Sequence, residues 1–144
     1  MDTLIGSEHY CLYRRRQYVL RNAYLDRELG LAVANIRLPE GMSAADFPEA
    51  IRSGGDGEDR WVVIPERLVA REWAVDVSGV WRGVEFGLSV LRDPDGPSLY
   101  GSTSDPAAGS LGMMGDQYNG WQGELPADEV VVTRQVEREL PMTW

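Results

Sequence analysis

The sequence predicts an α+β fold: a single domain over residues 1–144 with a mainly antiparallel sheet and one or two packed helices, a mostly-β barrel or sandwich being the alternative. Three observations predict it. Residues 8–29 are rich in helix formers and lie between Ser7, suited to an N-cap, and Gly30, suited to a helix stop. Val80, Val84, Phe86, Leu88 and Val90 all fall on even positions, which is the period of a half-buried strand. Asp93-Pro94-Asp95-Gly96 follows as a turn, since proline presets one central position and glycine accepts backbone angles that other residues resist. Ser98 to Gly101 then reads as the returning strand of a hairpin.

Taken in order, the first segment is the least regular. Tyr10, Tyr13, Leu20 and Tyr24 fit one helical face while Leu12, Tyr18, Val19 and Leu25 fall off it, so two strands stay open as the alternative. Leu31, Val33, Ile36 and Leu38 alternate imperfectly as a strand that Pro39 and Gly41 end, and a short helical turn follows over Asp46 to Ile51. Ser53-Gly54-Gly55-Asp56-Gly57-Glu58-Asp59 is a surface loop ahead of the β-rich Trp61 to Ile64. Residues 66–72 read either as a helix opened by Pro65 or as a strand running on to Val77. Residues 101–125 read as a long Gly-rich loop, with six glycines from Gly101 to Gly123. Loops of that length inside a domain tend to be functional or disordered, and Met113, Met114, Tyr118 and Trp121 give this one apolar groups with which to pack or grip. The chain closes from Pro126 to Leu140 as a helix with Val132, Val136 and Leu140 at four-residue spacing, or as a strand through Val130-Val131-Val132.

Composition excludes several classes of function. The longest apolar runs are three or four residues, where a membrane-spanning helix needs about 20, so no membrane partner is expected. The N-terminus lacks the basic start and apolar stretch of a secretory signal, which makes a cytoplasmic address the expectation. The single cysteine, Cys11, agrees with a reducing compartment. All 14 basic residues are arginine, which removes lysine-based mechanisms. One histidine and one cysteine cannot supply a zinc site of the Cys/His kind, and Asp93-Pro94-Asp95-Gly96 lacks the further oxygen ligands of a calcium loop, so neither metal nor cofactor is expected. His9 and Cys11 have no orienting carboxylate near them in sequence, and an ordinary surface histidine beside a packed cysteine accounts for them. The run Arg14-Arg15-Arg16 reads as a solvated face.

One set of short motifs resembles a known family. Tyr13-Arg14, Ser102-Thr103-Ser104 and Glu137-Arg138-Glu139 look like the arginine, Ser-Thr-Ser and Glu-x-Glu series of mono-ADP-ribosyltransferases. The resemblance implies NAD held by Arg14 and Ser102, with Glu139 supporting transfer to the acceptor. It covers about seven residues, and a polar loop start and an exposed, charge-alternating segment account for the same residues.

Charge carries the main functional expectation. The net charge is −9, yet residues 1–52 hold seven acids and seven arginines, so the deficit belongs to the rest of the chain. No basic residue occurs between Arg92 and Arg134, an interval that contains Asp93, Asp95, Asp105, Asp116, Glu124, Asp128 and Glu129. Such a field repels nucleic acid and steers basic partners. The expected function is therefore a small acidic protein-binding domain that docks or neutralises a basic protein partner, for example a bacterial immunity or antitoxin-type inhibitor. Asp93, Asp95, Asp105, Asp116, Glu124 and Asp128 would supply the charge, and Tyr118 and Trp121 the anchors. The alternatives are a small enzyme, using NAD as above or paired carboxylates such as Asp116 and Glu124, and a phage or other assembly component.

Overall fold

The computed structural model describes residues 5–93 and 96–142, and among them no helix reaches seven residues. The strands are β1 (Glu8–Tyr13), β2 (Arg16–Asp26), β3 (Leu31–Arg37), β4 (Arg52–Gly54), β5 (Trp61–Pro65), β6 (Val69–Trp81), β7 (Val84–Asp93), β8 (Gly96–Thr103), β9 (Met114–Asp116), β10 (Gly120–Leu125) and β11 (Val131–Glu139). Between them lie single 3-10 segments at Ala44–Asp46, Glu66–Leu68, Pro106–Leu111 and Ala127–Glu129. The expected α+β architecture with packed helices is therefore wrong. The protein is mostly antiparallel sheet, left open at the edge strands β4 and β9 rather than closed into a barrel.

The segment 8–29 shows why the helix fails. Cys11, Tyr13, Tyr18 and Leu20 are buried, and in a hairpin with Tyr13 opposite Arg16 and Cys11 opposite Tyr18 all four point to one face. No helix places residues 11, 13, 18 and 20 together. The turn between the strands is Arg14-Arg15, both in the left-handed region at φ 49° and 65°. Two-residue hairpin turns of this kind need positive φ at both positions, which matches the twist of the flanking strands. The arginine run is thus a hairpin tip. Gly30, at φ 60°, closes the next turn, between Asp26 and Leu31, and stops no helix.

Two compact units result, Glu8–Ala74 with Arg138–Trp144 and Met1–Ser7 with Val75–Glu137. In the first unit the strand order is β4-β5-β3-β2-β1-β6, with β6 represented by its N-terminal half. Its core joins Cys11, Tyr13, Tyr18 and Leu20 to Ala34, Ile36, Leu38, Phe47, Val62, Ile64 and Val69. The Phe47 ring stacks on Tyr13 at 5.8 Å and meets Tyr18 edge-on at 5.3 Å, an arrangement worth about 0.5–1.5 kcal/mol per pair beyond burial. Below this cluster Glu49 accepts hydrogen bonds from the Tyr13 hydroxyl and the Arg14 guanidinium. Burial and then the bond to Glu49 push the Tyr13 phenol up to about 12.

In the second unit the order is β6-β7-β8-β10-β9, and β11 pairs with β6. The even-position run divides at Arg82-Gly83, a second two-residue turn with both residues at positive φ, so that Trp81 faces Val84 and Val80 belongs to the preceding strand. Val77, Trp81, Val84, Phe86, Leu88, Leu99, Ala108 and Leu125 form the core. The segment 101–125, expected as a loop, contains the end of β8, one 3-10 segment, and the β9–β10 hairpin. Its glycines serve packing and turns. A Cβ on Gly101 would come within 2.5 Å of the Leu125 side chain, and Gly112, Gly115 and Gly120 hold positive φ. The expected C-terminal helix is likewise replaced by a 3-10 turn and β11, whose nine residues are all exposed. An all-exposed segment gains nothing from helical periodicity, and β-branched Val131, Val132 and Thr133 favour the extended chain that β6 pairs.

Ser7 caps no helix either. Its amide donates to the Leu88 carbonyl at 2.6 Å, and its hydroxyl accepts from the Val77 amide at 2.8 Å, clasping β6 and β7. Gly6 permits the approach, because a Cβ there would lie 2.8 Å from the backbone of Ser89 and Val90. Ser7→Ala should lower the stability measured by urea unfolding by about 1 kcal/mol with an unchanged m-value. A midpoint equal to wild type would show that the clasp adds no stability.

Candidate functional site

The two units divide the charge unequally. The second unit holds eleven carboxylates against three arginines, a net of −8, and the first holds twelve against eleven, a net of −1. Nearly the whole negative charge of the protein therefore belongs to one unit, and that unit also carries its most exposed large aromatic residue. Tyr118 is 85% exposed and Met114 74% exposed. Both belong to the β9–β10 hairpin, Met114 on β9 opposite Gln122, and Tyr118 in the connection between Asp116 and Gly120.

That connection is built by Asp116. Its carboxylate accepts from the backbone N–H groups of Tyr118 at 2.8 Å and Asn119 at 2.7 Å, and from the Asn119 side-chain amide at 3.1 Å. These bonds favour the charged form, so the Asn119 and Tyr118 amides hold the Asp116 carboxyl below the usual carboxylate range. Gly120, at φ 80°, supplies the left-handed residue that ends a three-residue hairpin loop. A Cβ on Gly115 would lie 2.0 Å from the Gly120 carbonyl oxygen, so the two strands touch there backbone to backbone. The result is a short hairpin whose tip displays Tyr118 while its backbone is pinned.

The expected binding residues are only partly brought together. Asp116 and Tyr118 share the tip. Trp121 turns the other way. It packs against the core, its ring would meet a Cβ on Gly109 at 2.9 Å, and its indole N–H is buried with no acceptor. It is therefore a packing residue and not the exposed anchor that the sequence suggested. Glu124 is exposed on β10 opposite Tyr100, on the face that alternates with Trp121 and Leu125. Asp105 accepts from the Ala107 amide at 2.9 Å and opens the 3-10 segment Pro106–Leu111. Asp128 is exposed in the 3-10 turn that follows β10, where the neighbouring Glu129 accepts from the Trp81 indole at 3.4 Å. Asp93 ends β7 with its backbone opposite Gly96, its side chain not being among those described, and Asp95 lies outside the described residues. Met114 belongs to the site and was not among the expected residues.

The groups expected of an enzyme do not assemble here. Asp116 pairs with the first residue of β10, and Glu124 lies four residues further along, about 13 Å at the rise of a strand. In the other unit Arg14 is engaged by Glu49, and Glu139 accepts from the Arg71 Nε at 2.6 Å. Ser102 is exposed on β8 opposite Gly87. Among the described residues no group of three or more histidine, cysteine, aspartate or glutamate side chains could hold a metal ion, and no helix is long and apolar enough to cross a membrane. The first unit has a shallow concavity of about 220 Å³ between Tyr10, Gln17, Tyr18, Val19, Arg37 and Pro39, at which Arg37 lies 3.8 Å from Glu8.

Because the folded Asp116 titrates lower than in an unfolded chain, it contributes order to the tip that is present above the ordinary aspartate range and lost as pH falls through the lowered value. Amide exchange of Tyr118 and Asn119, corrected for intrinsic rates, should accelerate on acidification below about pH 3.8. In Asp116→Ala the same amides should exchange fast at every pH, and equal protection in variant and wild type would remove Asp116 as the organiser of the tip. Compared with known proteins, no family model matches this chain, and neither a curated protein nor a solved structure matches it.

Proposed function

We propose that this chain is a protein-binding domain that docks a basic protein partner through the β9–β10 hairpin of its acidic unit. The observation that carries the reading is Tyr118, 85% exposed at the tip of a hairpin whose backbone Asp116 fixes, in a unit of net charge −8. An aromatic ring on a fixed backbone gives up little conformational entropy when it is buried by a partner, and tyrosine is among the residues that most often dominate binding energy. Met114 adds a flexible apolar contact beside it. The surrounding carboxylates, Glu124 and Asp128 among them, accelerate encounter with a positively charged surface and disfavour acidic competitors. An inhibitor of the immunity or antitoxin kind, which must reach a basic toxin quickly and cover it, is the class of binding protein this combination suits. Compared with the sequence-based expectation, the anchors move from Tyr118 and Trp121 to Tyr118 and Met114, and Asp116 becomes the support of the tip.

Two variants separate this reading from a purely structural hairpin. Tyr118→Ala should reduce capture of a basic host protein by about tenfold or more, consistent with loss of at least 1.4 kcal/mol at a dominant contact. The double variant Glu124→Arg with Asp128→Arg should slow association and flatten its dependence on salt. Both should melt with the wild type, since none of these side chains is buried. Undiminished capture by both variants would overturn the reading.

A further inference from the structure

We propose that the carboxyl pair Glu66–Glu72 is a proton-dependent latch of the first unit: one shared proton holds the corner between β5 and β6 closed, and its loss loosens that corner. Glu66 follows Pro65 in the 3-10 turn Glu66–Leu68, and Glu72 lies on β6 immediately beyond it. Glu66 is 0% exposed and Glu72 2% exposed. The two side chains are hydrogen-bonded to each other, an arrangement that needs a proton on one of them, because two ionised carboxylates have only acceptors to offer. Two like charges in a buried site cannot both persist. The Glu72 Oε2 is buried and accepts no hydrogen bond, so ionisation there would leave a charge with neither water nor donor.

The charged groups around the pair do not relieve this. From β1 comes Cys11, a buried thiol that burial and the nearby Glu72 push up to about 12, and so no source of positive charge. β3 packs against the 66–68 turn and bears one basic residue, Arg37, which faces Glu8. β5 is uncharged. On β6 the neighbouring Arg71 stacks on Trp73 at 4.3 Å and pairs with Glu139 of β11. The chain after β11 meets Glu72 only through its backbone, the Leu140 N–H donating to the Glu72 carbonyl at 3.0 Å. Desolvation first, and then Glu66, push the Glu72 carboxyl up to about 8.

The sign follows from linkage. A carboxyl whose folded pKa is raised favours the folded state most where both states are protonated, below about 4.5, and that advantage is lost as pH rises toward and through about 8. The first unit is thus tightest in mild acid and loosens across the neutral to alkaline range. Acidic proteins without such a pair show the opposite trend at the acid end, where paired carboxylates are protonated.

Thermal unfolding of the full chain at closely spaced pH values from 5 to 9 tests the latch, with Glu72→Gln measured alongside. Glutamine keeps the shape and can donate to Glu66 without a titrating proton. The wild-type melting temperature should fall by about 5 °C or more relative to Glu72→Gln between pH 6 and 9, and parallel curves would overturn the proposal. Should Glu72→Gln fail to fold, Glu66→Gln serves in its place. Independently, the wild-type amides of residues 62–74, corrected for intrinsic exchange, should lose protection between pH 6.5 and 8.5 while those of 84–91 hold theirs. Equal change in both segments would overturn the proposal as well.

Discussion

Two tight turns with left-handed backbone decide most of this structure. In a sheet, side chains alternate between faces, so a slip of one residue in register moves every buried group into solvent. Arg14-Arg15 fixes Tyr13 opposite Arg16 and thereby assembles Cys11, Tyr13, Tyr18 and Leu20 on one face. Arg82-Gly83 fixes Trp81 opposite Val84 and does the same for Val77, Trp81, Val84, Phe86 and Leu88. Three of these four central residues are arginines, which reach positive φ at a cost of roughly 1–2 kcal/mol each. Burial of two aromatic-rich cores more than offsets that strain, since each fully buried large apolar side chain contributes about 1.5–3 kcal/mol.

The sequence made part of this legible. The alternation through Val84, Phe86 and Leu88 and the strand at Leu31 are plain period-two patterns, and the structure has strands at both. The failures share one cause. Segments 8–29 and 126–140 are rich in leucine, arginine and glutamate, residues with good helix propensity, and that local preference is worth only tenths of a kcal/mol per residue. Long-range pairing, invisible in a single sequence, overrides it. The 101–125 segment was misread for a different reason: its glycines were taken as a sign of irregularity, whereas Asn119-Gly120 is a hairpin signal in its own right, and Gly101, Gly109 and Gly123 clear space for Leu125, Trp121 and Met113. The exposure of Tyr118 and the inward turn of Trp121 follow from the register of β10, which depends on pairings with β8 and β9.

Charge was the most informative sequence property, and the structure sharpens what it means. The first unit balances its arginines against carboxylates in pairs such as Arg14–Glu49, Arg52–Asp26 and Arg71–Glu139, and it hides two further carboxyls that share a proton. The second leaves its carboxylates in solvent with few partners, where each contributes little to stability. An exposed surplus of one sign destabilises a fold slightly and is useful for steering. Asp116 combines both roles, since its hydrogen bonds shape the tip while its charge adds to the field around Tyr118.

The central claim is that this tip is where a basic partner docks. The hydrogen-exchange footprint of a captured partner tests it most directly, comparing free and bound protein residue by residue. The account predicts new protection concentrated at 114–121, with the tip amides of Tyr118 and Asn119 foremost, and weakening as salt is raised. Protection centred on the arginine hairpin at 13–16 instead, or a bound state that leaves 114–121 unchanged, would contradict it.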